Sequence, residues 1–389
     1  MKMTSGCQLK KPSRESSRRG AVIPLLALSL IPLMGMMAFS IDYGYLRVVK
    51  SDLQRAADAA ALSAVIELVP DPYGVQDYAA VRATVREYAQ SNMTNAAGGL
   101  ATFNVLDADI EMGRYDTATI YGTAPVTLHA DGMYDCLRVT LRRDGSVNGA
   151  VPLFFAKLLG IKSKPVVATA TAILRRGSVL KAGSDILPFA LPESYWDSLT
   201  PGEQMSIYND NTITDEDGNQ VTVTDEFGQP IPGNWGTVDI GWENNSSSDL
   251  MYQIRHGLLQ SDLDTLVSDG RLTDNSELTA PVTFQADAGI SIGIKDSVRS
   301  IHGETRIIPI YDTVNGELVN NSGTGNNAEF GTVKWGVVKV LDSAWTGNSG
   351  TYIKSQKAYT YDGGIIPNPD LTDKSSVIDG AYAGASLVR

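Results

Sequence analysis

The run Asp215-Glu216-Asp217-Gly218-Asn219 sets carboxylate and amide oxygens close together, the chemistry that a calcium loop requires. Asp-Gly is also the default pair of a tight turn, so a solvated acidic hairpin tip is the simpler reading and calcium the alternative. Gly289-Ile290-Ser291-Ile292-Gly293 spells G-x-S-x-G, the string of a nucleophile elbow. An elbow needs a strand before the serine, a helix after it, and an acid and a histidine to activate the hydroxyl. His302 follows only eleven residues after Ser291 and no α/β alternation surrounds the string, which favours a glycine-flanked strand edge over an esterase. The three histidines, His129, His256 and His302, are scattered without metal-ligand spacing. P-loop, dinucleotide and CxxC patterns are absent, so no catalytic residue, cofactor or metal is expected. Cys7 and Cys136 are the only cysteines and fall on opposite sides of a long apolar segment. They are not expected to pair within one chain. Cys136 reads as a small buried hydrophobe, with an intermolecular bridge as the alternative.

That apolar segment organises everything else. Residues 21–41, AVIPLLALSLIPLMGMMAFSI, carry no charge. At about 1.5 Å per helical residue they span roughly 30 Å, the thickness of a bilayer's hydrocarbon core. Residues 1–20 hold Lys2, Lys10, Lys11, Arg14, Arg18 and Arg19 against the single acid Glu15. The positive-inside rule therefore predicts a cytoplasmic tail, a single pass through the inner (cytoplasmic) membrane, and export of residues 42–389 to the periplasmic side. A cleaved signal peptide is the competing reading. The run is longer than a usual signal core and no A-x-A-like site closes it, which favours retention as an anchor in the lipid bilayer. With six bases and one acid removed, the chain's net charge of −12 becomes −17 for the remainder. Such an acidic surface disfavours nucleic acid and anionic lipid as partners. Pro24 stands in the first turn, Pro32 is placed to kink the helix, and Gly35 offers a thin face for another helix.

From Leu46 the pattern stays helical up to Pro70-Asp71-Pro72, with Leu46, Val49, Leu53, Ala56 and Ala60 on one stripe. Ala56, Ala57, Ala59, Ala60, Ala61, Ser63 and Ala64 make the second half slim on almost every side. Two readings stand: a surface for close packing against partner helices, or an amphipathic stalk lying on its own domain, rich in alanine for helix propensity. Gly35, Ala56, Ala57, Ala60 and Ala64 are the candidate helix-packing residues, and a homo-oligomer is compatible with them.

Arg-Arg-Gly-Ala at 18–21, the apolar span, Ile41-Asp42-Tyr43-Gly44 and then the run Leu53-Gln54-Arg55-Ala56-Ala57-Asp58-Ala59-Ala60-Ala61-Leu62 together resemble the N-terminal module of TadE/TadG-like proteins of the tight-adherence (Flp) pilus-assembly system. The resemblance covers roughly residues 18–66. It implies an inner-membrane protein without catalytic activity that assists assembly or anchoring of a surface pilus, with other pilus-assembly or pilin-like proteins as partners. Two features depart from such families. Gly20 is followed by Ala21-Val22-Ile23-Pro24-Leu25 without the glutamate of a prepilin-peptidase substrate, and no D-x-S-x-S metal site of a von Willebrand A-type domain is found.

Beyond the stalk, a second helix is expected over about 75–91 with Tyr78, Val81, Val85 and Tyr88 as its apolar stripe. Strands follow at 102–106, 109–115, 125–129 and 136–142, and residues 152–160, PLFFAKLLG, read as a short buried helix. Residues 165–174 alternate strictly, with Val167, Thr169, Thr171 and Ile173 on one face. The expected fold is α+β: a transmembrane helix continuing into a long amphipathic helix, a pilin-like α+β domain, and a β-rich C-terminal domain. The boundaries are 1–20, 21–41, 42–69, 70–176 and 177–389, with Arg175-Arg176-Gly177 and the stretch to Ser184 as a joint. Two leading functions result: a non-enzymatic pilus-assembly or attachment component, and a membrane-anchored adhesin or binding protein whose β-rich domain takes a ligand or calcium.

Overall fold

A single helix carries both the apolar run and the alanine block: α1, Val22–Val65, continues unbroken through Pro32. The computed structural model describes residues 22–94, 96, 100–115, 126–129, 132–208, 212–214, 220–222, 236–241, 246–274, 276–288, 292–311, 313–314, 317–318, 328–345, 351–368 and 377–388. α1 ends in a single 3-10 turn, Ile66–Leu68, ahead of the Pro70-Asp71-Pro72 break. The Asp77 carboxylate then accepts the amides of Ala79 and Ala80 and starts α2, Tyr78–Thr94. Its buried face is Val81, Val85, Ala89 and Met93, whereas Tyr78 and Tyr88 lie at its exposed border.

α1 and α2 pack on an antiparallel sheet of β1 (Ile110–Tyr115), β2 (Val126–Leu128), β3 (Cys136–Arg143) and β6 (Val166–Leu180). Between β3 and β6 a two-residue ladder, β4 (Val151–Pro152) with β5 (Ser163–Lys164), pinches off a turn. The alternation expected over 165–174 holds as far as Ala172, with Val166, Ala168, Ala170 and Ala172 buried and Val167 exposed, but Ile173, expected on the face of Val167, is buried beside Leu174. Two further expectations are corrected. Residues 102–106 form a loop, not a strand. Residues 175–180 are no joint, because β6 runs on through Arg175-Arg176-Gly177 and is paired along its length.

The second sheet is the β-rich part. It comprises β7 (Phe189–Pro192), β8 (Gln204–Tyr208), β9 (Thr212–Thr214), β10 (Gln220–Thr222), β11 (Gly236–Asp239), β12 (Val282–Ala288), β13 (Thr305–Tyr311), β16 (Ala328–Ala344) and β17 (Tyr352–Lys357). A small ladder, β14 (Thr313–Val314) with β15 (Glu317–Leu318), stands apart. β16 is long enough to pair with β12 through residues 328–332 and with β13 through 332–339, so β7, β11, β12, β16 and β13 close into a ring. Phe284, Tyr311, Phe330 and Trp335 fill one core of this sheet. Ile308, Ile310, Val338 and Val340 point to the other face, under α3 (Glu193–Ser198), α4 (Ser247–His256) and α6 (Lys295–Ser300), while α5 (Gln260–Ser268) packs on the first core.

The chain then returns. β18 (Thr360–Tyr361), β19 (Ile365–Pro367) and β20 (Ala381–Val388) rejoin the first sheet, with β20 antiparallel to β6 from Tyr382↔Arg176 to Val388↔Thr171. The last strand of the chain thereby completes the sheet on which the first helix lies.

Candidate functional site

α1 changes character within one turn. From Ile23 to Ile41 its large apolar side chains are exposed, and this helix is long and apolar enough to cross a membrane. Asp42, the next residue, is only 4% exposed. Its carboxylate receives the amides of Phe154 at 2.7 Å, Phe155 at 3.0 Å and Ala156 at 2.6 Å. Those amides open the single-turn helix Ala156–Leu159, so an acid on α1 caps a turn more than a hundred residues downstream. Tyr45 meets the Phe154 ring edge-on at 5.2 Å, and Leu153, held by its amide on Lys162 O at 3.0 Å, is buried beneath.

The turn itself corrects an expectation. PLFFAKLLG is not a buried helix: Phe154, Phe155, Leu158, Leu159 and Ile161 are exposed, Leu158 by 86%. Gly160 ends the turn with φ +87°, a left-handed conformation that suits glycine. Around it stand Arg47, Lys50, Lys157, Lys162 and Lys164, and the only acid of segments 41–50 and 151–167 is the buried Asp42. Tyr43, Leu46, Arg47, Lys50, Lys164 and Val167 line an open cleft of about 380 Å³ beside it. The Arg47 guanidinium lies 5.0 Å from the Tyr43 ring centroid and donates to its hydroxyl.

Further along α1, Ala56, Ala57, Ala60 and Ala64 are fully buried, together with Val49, Leu53 and Ala61, in one core shared with α2, β3 and β6. The chain's own sheet and second helix cover this face, as in the reading of a stalk lying on its own domain. Small side chains let α1 approach closely enough for Lys50 Nζ to donate to Val167 O and Gln54 Nε2 to Thr169 O at 2.9 Å. Both carbonyls lie past the final β20 pair at Thr171, where β6 would otherwise present an open edge. Gly35 sits apart, on the exposed stretch, and a Cβ added there meets nothing within 4 Å.

Residues 20–69 match the family model of Flp pilus-assembly TadE/G-like proteins, and residues 54–172 match that of Tad-like Flp pilus-assembly proteins. Residues 20–172 are Tad-like. The two matches overlap on the alanine half of α1 and end inside β6, so the Tad-like module comprises α1, α2 and the strands that they cover. These matches support a pilus-assembly related role. Neither a curated protein nor a solved structure matches the chain.

The remaining candidate residues do not converge among the described residues. Residues 215–219 and Ser291 lie outside them. β9 and β10, which flank the acidic run, pair antiparallel with Gln220 opposite Thr214. Twelve places counted from Asp215 reach Glu226, so the acid that closes a calcium loop is present in the sequence, whereas Gln220 stands where an EF-hand has glycine. His302 Nε2 lies 2.8 Å from Ser343 Oγ, but the neighbouring Asp342 gives Oδ1 to the Ser343 amide and Oδ2 to the Tyr352 hydroxyl and does not orient the imidazole. His129 faces Glu111 at 3.8 Å and the His256 ring lies 4.3 Å from that of Tyr252 at a 41° tilt. Cys136 is fully buried, which removes it from intermolecular pairing. Burial and the Asp135 charge push its thiol up to about 12 against the pull of Arg138. Among the described residues no group of three or more His, Cys, Asp or Glu is placed to hold a metal.

Proposed function

We propose that this protein is a single-pass, non-enzymatic component of Flp/Tad-type pilus assembly or surface attachment. Its N-terminus is cytoplasmic, α1 is anchored in the inner membrane, and its folded bulk is periplasmic. The observation that carries this is the first half of α1, a Tad-matched helix whose large apolar side chains are left uncovered by the rest of the chain. The exported residues act as two layers joined through β6, which runs unbroken across the expected 176/177 boundary, and the C-terminal part lends β20 to the first sheet. Its partners are the bilayer and other pilus-assembly or pilin-like proteins, met through the exposed Gly35 stretch and the outer surfaces of the two layers. A strain lacking the protein is expected to lose surface Flp pili. The full chain should restore them, and a version exported without residues 1–41 should not. Normal piliation without the protein, or restoration by the anchorless version, refutes the reading.

A second reading, an anchored adhesin or binding protein, gains support from the spacing of Asp215, Asp217, Asn219 and Glu226 at places one, three, five and twelve of a calcium loop. It requires a rise in melting temperature on adding calcium that Asp217→Ala abolishes.

A further inference from the structure

The turn over residues 154–161 presents five large apolar side chains, Phe154, Phe155, Leu158, Leu159 and Ile161, to the outside within eight residues. An exposed apolar patch of this kind is an interaction surface. Four observations fix what covers it. Its position is set by Asp42, adjacent to the last exposed apolar residue of the span, Ile41, so the turn lies at the level where α1 leaves the apolar stretch. Tyr45, a side chain suited to the boundary between hydrocarbon and water, packs on Phe154. Lys157 is interleaved with the apolar residues, and Lys162 and Lys164 flank them, as in segments that lie in a headgroup layer. Finally, five bases gather here in a chain of net charge −12.

We propose that the turn is a second membrane contact. Leu158, Leu159 and Phe155 enter the acyl boundary beside α1, and Arg47, Lys50, Lys157, Lys162 and Lys164 meet the phosphates of anionic phospholipid. Two contacts a few residues from the same boundary hold the Tad-like module at a fixed tilt and rotation, which a lone helix does not. The acidic surface elsewhere keeps the rest of the molecule off the bilayer, so the distrust of anionic lipid drawn from net charge does not extend to this face. Asp42 is the positioning residue, because it ties the turn to the helix.

This inference rests on the anchored reading of α1, and the test separates the two. The full chain, with Cys7→Ser and the buried Cys136 kept, is labelled with an environment-sensitive fluorophore at one of three introduced cysteines. These are Leu28→Cys in the span, Leu158→Cys in the turn, and Tyr73→Cys at the far end of α1. Each variant is reconstituted in phosphatidylcholine vesicles with and without phosphatidylglycerol, using lipids brominated at shallow acyl positions as quenchers. Expected is a blue shift at positions 28 and 158 and comparable loss of emission there to brominated lipid, with phosphatidylglycerol increasing the loss at 158, and neither effect at 73. Quenching at 28 without quenching at 158 overturns the second contact while the anchor stands. Absence of quenching at both removes the anchored reading itself. A blue-shifted but unquenched label at 158 means that protein, a second copy or a partner, covers the turn, and that result also overturns the proposal.

Discussion

The two halves of α1 are equally helical, yet the first is uncharged and the second amphipathic, with Arg47, Lys50, Asp52, Arg55 and Asp58 among its residues, and they differ in the size of their apolar side chains and in what touches them. The large side chains of residues 23–41 are Leu, Ile, Met and Phe with exposures such as 73% at Ile23 and 72% at Phe39, whereas Val49, Leu53, Ala56, Ala57, Ala60, Ala61 and Ala64 have none. A fluid apolar solvent accommodates any shape, so bulk costs nothing where lipid is the neighbour. A β-sheet is a fixed surface, and where α1 lies closest to it and to α2 the buried positions are mostly alanine methyls, with Val49 and Leu53 filling the wider end. Among the apolar residues of this helix, side-chain size tells the two environments apart, and the charges of the second half mark the same change.

A charge placed in each half tests that contrast with the largest expected effect. Ala57→Asp puts an unpaired carboxylate into the core shared by α1, α2 and β6, a change that costs more than about 3 kcal/mol. Thermal unfolding in detergent micelles should show the cooperative transition lost or moved far down. The milder Ala57→Leu overpacks the same contact by about 1–3 kcal/mol. Leu28→Asp should leave that transition where it is and instead oppose membrane insertion by about 3 kcal/mol, read as a loss of the membrane-integrated fraction. An unchanged transition in Ala57→Asp would mean that the alanine face is not packed on its own sheet, and the comparison would collapse.

How far this was legible before the structure follows the same line. The apolar run, the helix after Pro72 and the strand over 165–174 are local patterns, and they appear where the periodicity puts them. Apolar character alone misplaced PLFFAKLLG: its composition is that of a core segment, yet its side chains are exposed. The signal available was Lys157 inside the run and Lys162 and Lys164 after it, charges that a core turn does not carry. Asp42 stood in view within Ile-Asp-Tyr-Gly, yet its amide partners lie 112 to 114 positions away, and no spacing rule reaches so far. For β20 the same holds, since its partner strand precedes it by some two hundred residues and only the closed sheet reveals that the chain's end belongs to its beginning.

At the hinge between the two halves the expected effect is smaller and local. Asp42→Ala removes the acceptor for three amides, a loss of about 1–2 kcal/mol for a capping side chain. Hydrogen exchange at residues 154–156 should speed markedly while the main unfolding transition barely moves. Asp42→Asn, which keeps one acceptor oxygen, should recover part of the protection. Equal exchange in all three proteins would detach the turn from α1.

The sheet under the alanine half offers a weaker probe through pH. Cys136, on the strand face turned away from Leu137 and Val139, keeps its proton in the fold to about 12, whereas in the unfolded chain it ionises near its ordinary 9.0. The unfolded state therefore loses the proton first, and stability should fall as pH rises from 9.0 towards about 12. Tyr382, held up to about 12 by burial, adds to the same decline from its ordinary 10.0. Melting temperatures of Cys136→Ala should decline less steeply across this window than those of the native chain, and parallel declines would show the thiol to be hydrated after all.

Least of all should change at Gly35, and that makes it the sharpest control on the comparison. A Cβ there meets nothing within 4 Å, so Gly35→Leu neither clashes with the chain nor disturbs a core. Insertion and the unfolding transition should both match the native protein. What remains for the substitution to alter is the approach of another helix, because leucine holds backbones apart where glycine lets them meet. Reduced co-purification of other pilus-assembly proteins, with stability unchanged, would assign partner contact to the exposed apolar half and leave the alanines to the fold. Full co-purification from Gly35→Leu would instead send the search for the partner surface outward, to the exported layers.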